Sequence, residues 1–415
     1  MGEFVGTIPA VSAGRGSLRP IVIGVTHPQT SLVLGPRLRA LRRAGFSVTL
    51  VCAPGEVLHP GVVESGTDRV SIPMERGISP LADLVSLVRL FALLRRLRPE
   101  LVEFSTPKAG LLGTLAAALC GVPRRVYMLR GLRLETAFGW KRCLLLACEW
   151  LTCACAHVVL CNSESLGARA LALRLASREK IWMLGEGSSN GVDLARFSPG
   201  TSPVRAELGI PAGVPVIGFV GRLTRDKGIP ELIEAFECIL QSKPEARLLL
   251  VGWFDAAEDA LDQEHRARIE AHPRVHFTGF VEETAPYYRA MDVMVLPTWR
   301  EGFPNSVLEA QASGIPVVTT ISTGSRDSVV PEVTGLLIPP GYPEAIAEAV
   351  LKLLRDPKRR MRMGRAARAW VREHYMEKSV LEMMVQFYRG LLAARGSSIP
   401  QKSAPTDALP AGGAS

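Results

Sequence analysis

The sequence predicts an α/β fold of two domains, each built on a parallel sheet. Short apolar segments of strand length alternate along the chain with segments of helical periodicity, a pattern typical of parallel sheets joined by helical crossovers. At 415 residues the chain is too long for one ordinary core and suits two domains of about 180 to 200 residues. A Gly/Ser-rich run at 185–193, followed by the Pro-containing stretch 199–203, marks the boundary between them.

In the first half, a helix with Leu34, Leu38 and Leu41 at helical spacing ends near Gly45. Ligands of open α/β sheets bind at the carboxyl ends of strands, which places His27, Lys108 and Arg130 on one rim. The other predicted elements of this half are strands at 20–26, 46–52, 101–104, 125–129 and 156–161 and helices at 81–97 and 108–120.

Each of the three rim residues has two interpretations. His27 is a solvated loop residue or faces a ligand. Lys108 opens a helix, where the dipole disfavours a cation, so an anionic partner would explain it. Arg130 could bind a donor or acceptor phosphate with two hydrogen bonds, or pair with Glu135 five residues on.

The second half contains a glycine-bounded basic loop, 221–228, directly after a predicted strand. Two of its three cations, Arg222 and Lys227, suit a pyrophosphate whose charge they would neutralise as it departs. A solvated basic loop is the alternative, and Arg225 and Asp226 are expected at the surface. The predicted elements here are strands at 214–220, 246–251, 275–277 and 291–297 and helices at 344–354, 359–374 and 380–392.

The stretch 300–310 follows the predicted strand 291–297 and reads as a turn that leads into a helix ending at Gly314. The turn carries one carboxylate, Glu301, and the helix carries another, Glu309. Asn305 and Ser306 are good N-cap residues, and a helix start favours an anion such as phosphate. The two acids are better suited to accept hydrogen bonds from hydroxyls. The stretch therefore favours a phosphorylated, hydroxyl-rich ligand such as a nucleotide sugar, against the alternative of a surface turn with two solvated glutamates.

Residues 301–309, E-G-F-P-N-S-V-L-E, resemble the E-x7-E motif of the group 1 (family 4) retaining glycosyltransferases. Residues 218–228 resemble that family's G-R-x4-K-G loop, 190–197 its N-G-V-D segment and 324–341 its closing signature. The first half, at 106–113 and 129–135, is more narrowly similar to a bacterial subgroup that builds capsule, O-antigen and lipid-linked glycans. In one departure, Arg130 stands where many relatives carry a histidine near the transferred sugar.

The resemblance implies the GT-B fold, in which two Rossmann-like domains face each other across a cleft and a C-terminal helix crosses back to the first domain. The expected divisions are a disordered start at 1–18, an acceptor domain at 19–198, a donor domain at 199–378, the returning helix at 379–396 and a disordered tail at 397–415.

The resemblance also implies roles for the site residues. Glu309 would bind the ribose hydroxyls and Glu301 the donor sugar hydroxyls, while N–H groups of 303–307 would hold sugar and phosphate. The predicted catalytic residues are Arg222, Lys227 and Glu301. The predicted substrate-binding residues are Lys108, Arg130, Val281, Gly302, Phe303, Pro304, Asn305, Ser306, Val307 and Glu309.

The family resemblance implies a front-face substitution in which the leaving phosphate helps to deprotonate the acceptor, in place of the double displacement usual for retention. No Asp-x-Asp occurs in the sequence, and Arg222 with Lys227 supplies the charge that Mg²⁺ would bring. We therefore expect no metal and no cofactor, with a nucleotide sugar, UDP-linked, as donor.

Charge and hydropathy bear on partners and location. Residues 1–199 carry 24 Lys and Arg against 14 Asp and Glu, whereas 200–415 carry 25 against 26. The basic first half suits an anionic membrane or a diphosphate-bearing acceptor, or is simply a solvated surface, and no motif indicates nucleic acid. The eight cysteines form no C-x-x-C pair, as expected of reduced thiols in the cytoplasm.

Two apolar segments, 81–97 and 143–161, are interrupted by charges and fall short of a membrane span. With no signal peptide at the start, the expected location is cytoplasmic, with peripheral attachment to the inner face of the plasma membrane as an option.

Three functions are compared. The favoured one is transfer of a hexose or N-acetylhexosamine from a UDP-sugar to a lipid-diphosphate-linked glycan. The same chemistry on a soluble acceptor is the second, and an inactive nucleotide-sugar-binding scaffold is the third. A UDP-sugar epimerase on the same architecture is remote in this E-x7-E context.

Overall fold

The structure, a computed structural model, describes residues 19–393 except 29, 31–33, 56–61, 63–64, 76, 78, 189 and 256–258. The predicted disorder at 1–18 and 397–415 lies outside the described residues, as do the last three residues of the predicted returning helix.

The first domain is built on a seven-stranded sheet in the order β3-β2-β1-β4-β5-β6-β7, and every pairing in it is parallel. The five predicted strands are confirmed, with ends shifted by up to two residues. The short edge strand β3 has the sequence DRVS and was not predicted because it lacks an apolar run. The strands are β1 Arg19–Gly24, β2 Phe46–Cys52, β3 Asp68–Ser71, β4 Leu101–Ser105, β5 Arg124–Leu129, β6 Val158–Cys161 and β7 Ile181–Trp182.

Five helices accompany this sheet in the described ranges. Helix α1 packs with the C-terminal helix on one face, while α3 packs between α2 and α4 on the other. The long apolar segment at 143–161 divides into the end of a helix and a buried strand, as predicted. The helices are α1 Gly35–Arg43, α2 Pro80–Leu97, α3 Pro107–Leu119, α4 Gly139–Cys155 and α5 Glu164–Ala172.

The second domain has a six-stranded parallel sheet in the order β10-β9-β8-β11-β12-β13. Its strands are β8 Val216–Val220, β9 Arg247–Val251, β10 Val275–Phe277, β11 Val293–Leu296, β12 Val317–Thr320 and β13 Gly335–Ile338. Its helices are α6 Val204–Glu207, α7 Ile229–Ser242, α8 Gln263–Ala271, α9 Ala285–Ala290, α10 Asn305–Ala312, α11 Pro343–Arg355 and α12 Pro357–His374.

The last helix, α13 (Glu377–Ala393), returns to the first domain as predicted. Its Leu381, Met384 and Leu391 pack in the first core. The Tyr388 hydroxyl accepts a hydrogen bond from Arg37 Nη2 at 2.5 Å. Arg37 also forms a wholly buried ion pair with Glu103 of β4. Because a buried charge is costly unless it is paired, this contact ties α1, the sheet and the returning helix together.

Across the described ranges, no helix combines the length and the hydropathy needed to cross a membrane.

Candidate functional site

The basic loop 221–228 is held against the segment that follows β11. Gly228 has φ +71°, and a Cβ there would lie 2.1 Å from the carbonyl oxygen of Pro297. Glycine is therefore required both by the backbone conformation and by the close approach. Strands β8 and β11 are parallel neighbours, so their carboxyl ends deliver the loop and the Pro297–Glu301 turn to one place.

Two predicted catalytic residues meet directly there. The Lys227 ammonium forms an ion pair with the Glu301 carboxylate, and each side chain is about one-sixth exposed. Arg222 lies alongside and donates to Asp255 at 2.6 Å. Burial alone would lower the pKa of Arg222, but the hydrogen bond to Asp255 and the nearby carboxylates, Glu301 among them, raise it. The three predicted catalytic residues therefore lie together, and the Arg222 guanidinium is protonated at neutral pH.

Asp226 corrects a sequence prediction, because it is buried and not a surface residue. Its carboxylate pairs with Arg300 at 2.8 Å and accepts from the Thr224 hydroxyl at 2.6 Å. Burial alone would raise the pKa of Asp226, but Lys227 and Arg300 outweigh it and lower the pKa. Asp226 therefore braces the basic loop against the Glu301 turn. Its neighbour Arg225 is largely exposed, as predicted.

The Glu301–Gly302 turn is enclosed by backbone from both domains. A Cβ on Gly302 would lie 2.4 Å from the carbonyl oxygen of Arg130 in the first domain. On the other side, a Cβ on Gly324 (φ +75°) would lie 2.3 Å from the carbonyl oxygen of Gly302. The Glu301 N–H donates to the Thr323 carbonyl at 3.1 Å. The turn that carries Glu301 is therefore in close backbone contact with the first domain.

Hydrogen bonds between the domains surround this contact, from residues the sequence did not single out for it. Arg300 donates to the Thr136 hydroxyl at 2.9 Å, and the Thr323 hydroxyl donates to Glu135 at 2.8 Å. Near them, Ser165 accepts from the Gly324 N–H at 2.7 Å and donates to Asp327. These partners are 159 to 188 residues apart, so no local sequence signal could have found them.

Glu309 lies on α10 and contacts α9, with the Tyr288 hydroxyl donating to its Oε2 at 2.8 Å. Burial raises the pKa of Glu309 to about 7, an effect that the Tyr288 hydrogen bond and Arg196 partly offset. Its described hydrogen bond is therefore to Tyr288 and not to the Lys227–Glu301 pair. A carboxylate poised near neutral pH in a half-buried position is suited to accept hydrogen bonds from a neutral hydroxyl.

The prediction that Asn305 and Ser306 cap this helix was wrong. Helix α10 begins at Asn305, so Pro304 occupies the N-cap position and no side chain caps the first turn. The extended backbone of Pro304 (ψ 106°) ends the turn one residue earlier than the capping preference suggests. Asn305 Oδ1 is buried and accepts no hydrogen bond from the described residues, an unmet acceptor at a helix start.

The rim residues of the first domain lie as predicted, because β1, β4 and β5 are parallel neighbours. Lys108 has its anionic partner within the chain, an ion pair with Asp83 at 2.6 Å. That contact accounts for a cation at a helix start without a ligand. His27 follows β1, and its carbonyl accepts from Thr30 at 3.0 Å.

Arg130 lies near two other charges of its domain. Burial and the neighbouring Arg37 lower the pKa of Arg130 to about 10, and Glu103 partly offsets this. Arg130 is therefore protonated at neutral pH. Glu135, the predicted alternative partner of Arg130, pairs with Arg169 at 3.2 Å. A phosphate-binding role for Arg130 stays a prediction.

Val281 is half-buried, packed against the core of the second domain after β10. Of the turn residues 302–307, Phe303 and Val307 are buried in that core and Phe303 also packs on Tyr375, so their side chains are structural. Their backbone N–H groups could contact the donor, as the resemblance implies. Over the described ranges, no three acidic, histidine or cysteine side chains are grouped to hold a metal ion, and metal independence stays a prediction.

Comparison with solved structures defines the class of fold. Sucrose-phosphate synthase from Thermosynechococcus elongatus superposes with a TM-score of 0.76 over 90% of this chain and 99% of that one, at 24% identity. HepE from Anabaena, solved with UDP-glucose, gives 0.74 over 89% and 99%, at 18% identity. The predicted GT-B fold, two parallel-sheet domains facing each other with a returning helix, is confirmed.

Sequence comparison identifies the family. The profile described as "Glycosyl transferases group 1" matches residues 214–356, and "Glycosyl transferase 4-like domain" matches 37–187. The capsular polysaccharide biosynthesis glycosyltransferase CapM of Staphylococcus aureus is 34% identical over 89% of this chain and 96% of its own. The chain belongs to the group 1 (family 4) glycosyltransferases, and the predicted class of enzyme is confirmed.

Two further relatives differ in the donor that their names state. A GDP-mannose-dependent alpha-mannosyltransferase of Mycobacterium tuberculosis is 32% identical over 83% of this chain and 87% of its own. A UDP-Gal:alpha-D-GlcNAc-diphosphoundecaprenol alpha-1,3-galactosyltransferase of Escherichia coli is 26% identical over 75% and 81%.

Proposed function

We propose that this enzyme transfers a hexose or N-acetylhexosamine, with retention, from a UDP-sugar to a lipid-diphosphate-linked glycan during bacterial surface polysaccharide synthesis. The observation that carries the proposal is the Lys227–Glu301 ion pair beside Arg222 where the two domains meet. The HepE complex with UDP-glucose supports the donor, and the name of the E. coli relative supports a lipid-diphosphate acceptor.

In the proposed reaction, the donor diphosphate replaces Glu301 as the partner of Lys227. The ammonium and the Arg222 guanidinium then face the phosphates, and Glu301 is released to accept hydrogen bonds from hydroxyls of the sugar. Charge that develops on the departing diphosphate meets two preorganised cations, which lowers the barrier to its departure. In the free enzyme, the ion pair thus holds the Lys227 and Glu301 side chains in position and compensates their charges.

Retention follows if the acceptor hydroxyl attacks the anomeric carbon from the face that the diphosphate leaves. The new C–O bond forms as the bond to the diphosphate oxygen breaks, and the hydroxyl proton passes to that leaving oxygen. The products are the glycoside and UDP. Arg222 and Lys227 supply the positive charge, so the proposal includes metal independence and needs no cofactor. The half-buried Glu309 would accept hydrogen bonds from the ribose hydroxyls.

A panel of UDP- and GDP-sugars, scored for hydrolysis and for transfer to a membrane lipid extract, tests this proposal. We expect one UDP-sugar to be consumed, the product to partition with lipid, and the anomeric configuration to be retained. Turnover of GDP-sugars alone would refute the donor assignment. Transfer only to a water-soluble extract would favour the soluble acceptor, and no turnover of any donor would favour the inactive binder.

A second experiment, with a chelator, tests metal independence. Activity should persist in EDTA, because Arg222 and Lys227 stabilise the charge on the departing diphosphate without a metal ion. Loss of activity that Mg²⁺ restores would contradict metal independence without touching the donor assignment.

A further inference from the structure

Helix α4 exposes an apolar stripe to solvent and buries two polar residues, Glu149 and Thr152. Its buried positions are Glu149, Thr152 and Cys153, and Glu149 accepts a hydrogen bond from the Tyr127 hydroxyl at 2.9 Å. Trp140 and Trp150 are 68% and 57% exposed. A helix of a soluble domain normally buries its apolar residues. In α4, Leu145, Leu146 and Cys153 pack in or against the core, but a further apolar stripe is exposed. The exposed apolar positions lie on one face, at residues 140, 143, 144, 147, 150, 151 and 154.

Helix α2 exposes a second apolar stripe. Its core-facing side contains Leu90, Leu93 and Leu94, yet Leu81 and Val88 are 83% and 59% exposed on another face. The exposed apolar positions 81, 84, 85 and 88 follow helical spacing and occupy the first half of the helix. In its second half the exposed positions include Arg89, Arg95 and Arg96. The helix therefore changes along its length from apolar to basic.

The two helices expose these stripes on the same side of the first domain. Both pack against α3, and Asp83 of α2 pairs with Lys108 of α3 and is near enough to Cys148 of α4 to contribute to raising the thiol pKa. The apolar side begins at Phe138, which is 85% exposed and lies two residues after Thr136, the interdomain partner of Arg300. It therefore begins beside the contact between the domains.

We propose that these stripes form a membrane-binding patch for an anionic bilayer, defined by Leu81, Leu84, Val88, Phe138, Trp140 and Trp150. Exposed apolar area of this extent on one side of a domain marks an interaction surface. Tryptophans with neighbouring cations are the residues that bind the headgroup region of a bilayer.

The charges around the patch indicate which kind of membrane it binds. Arg89 and Lys141 are exposed beside it. The two acidic residues of these helices do not oppose them, because Asp83 is paired with Lys108 and Glu149 is buried. Cations near a membrane surface favour anionic lipids. A patch that starts at the interdomain contact would present a lipid-borne acceptor to the site, a consequence that rests on the proposed function, whereas the binding itself does not.

Vesicle flotation of the full-length enzyme tests the patch. Phosphatidylcholine vesicles are compared with vesicles that also contain phosphatidylglycerol, each at low and high salt. We expect binding to the anionic vesicles that weakens at high salt. Replacing both tryptophans, Trp140→Ser with Trp150→Ser, should reduce the partition coefficient by about tenfold or more. Reversing both charges, Arg89→Glu with Lys141→Glu, should reduce it on anionic vesicles by at least about tenfold.

A matched control is Val333→Ser with Met361→Ser, two exposed apolar residues of the second domain (51% and 55% exposed), which should bind as the wild type does. Thermal unfolding and hydrolysis of the donor sugar check that each variant is folded. Equal binding by the tryptophan variant and the wild type, or no preference for anionic vesicles, would overturn the proposal. So would a concentration-dependent dimer that the tryptophan variant abolishes while vesicles bind neither protein. Donor hydrolysis is read separately, so failure of the patch and failure of the proposed chemistry are distinguishable.

Discussion

Replacing Gly302 with alanine is the sharpest test of how the two domains meet. Gly302 lies in the turn that carries Glu301, and its φ is in the ordinary range, so alanine adds no backbone strain of its own. Its Cβ would instead lie 2.4 Å from the Arg130 carbonyl oxygen, 2.5 Å from the Arg130 carbonyl carbon and 3.0 Å from its Cα. All three atoms are backbone of the other domain, so no side chain can rotate away.

The size of the effect follows from that overlap. Restoring ordinary contact requires the domains to separate by about 1 Å at this point. Overpacking of this kind costs about 1 to 3 kcal/mol. This strain destabilises the closed arrangement of the two domains and not the packing of either core, because the contact joins two separately packed domains. If the enzyme reacts in the closed state, kcat/KM should fall by about 5- to 150-fold.

The assay is kcat/KM for the donor sugar that the panel selects, with thermal unfolding and small-angle scattering on the same samples. We expect Gly302→Ala to lose activity and to scatter as a slightly larger particle, with a nearly unchanged unfolding temperature. Gly77→Ala is the matched control, since a Cβ there meets no atom of the described residues within 4 Å and its φ is ordinary.

Retention of wild-type kcat/KM by Gly302→Ala would refute the view that this contact belongs to the reacting conformation. A large fall in the unfolding temperature would show that the strain spreads into a core and would equally contradict the reasoning.

Three further predictions concern single side chains. Lys227→Gln should lower kcat by about 10²- to 10³-fold with little change in unfolding temperature, because it removes a preorganised cation but no core contact; wild-type turnover would contradict the role. Glu309 has a folded-state pKa of about 7, above its ordinary 4.5, so folding favours its neutral form and wild-type stability falls as pH rises between these values. Glu309→Gln should therefore gain stability over wild type between about pH 5 and pH 8, and thermal unfolding that shows the same difference at both would disprove the shift. Arg37→Met strands the buried Glu103 carboxylate and should cost about 3 to 5 kcal/mol in urea unfolding, against little for the exposed Arg43→Met on the same helix.

Much of the fold could be predicted from the local sequence. Predicted strands such as 46–52 and 275–277 match the structure residue for residue, because short runs rich in valine and phenylalanine between Gly- and Pro-containing segments are recognisable from local sequence. The glutamates of 301–309 and the cations of 221–228 were likewise readable from spacing. Adjacent parallel strands then had to bring two of these groups together, as they do in the Lys227–Glu301 pair.

Tertiary structure decided which partner each charge has and which face each helix buries. From its sequence context Asp226 is a surface loop residue, but in the structure it is buried and forms an ion pair with Arg300, 74 residues later. Lys108 is likewise a candidate ligand-binding residue in the sequence, but in the structure it forms an ion pair with Asp83. The sequence showed an apolar segment at 143–161 but could not show which side of helix α4 faces solvent, since that depends on the buried Glu149 accepting a hydrogen bond from the Tyr127 hydroxyl. Spacing along a chain encodes local periodicity, whereas burial and ion pairing depend on which distant segments the fold places beside it.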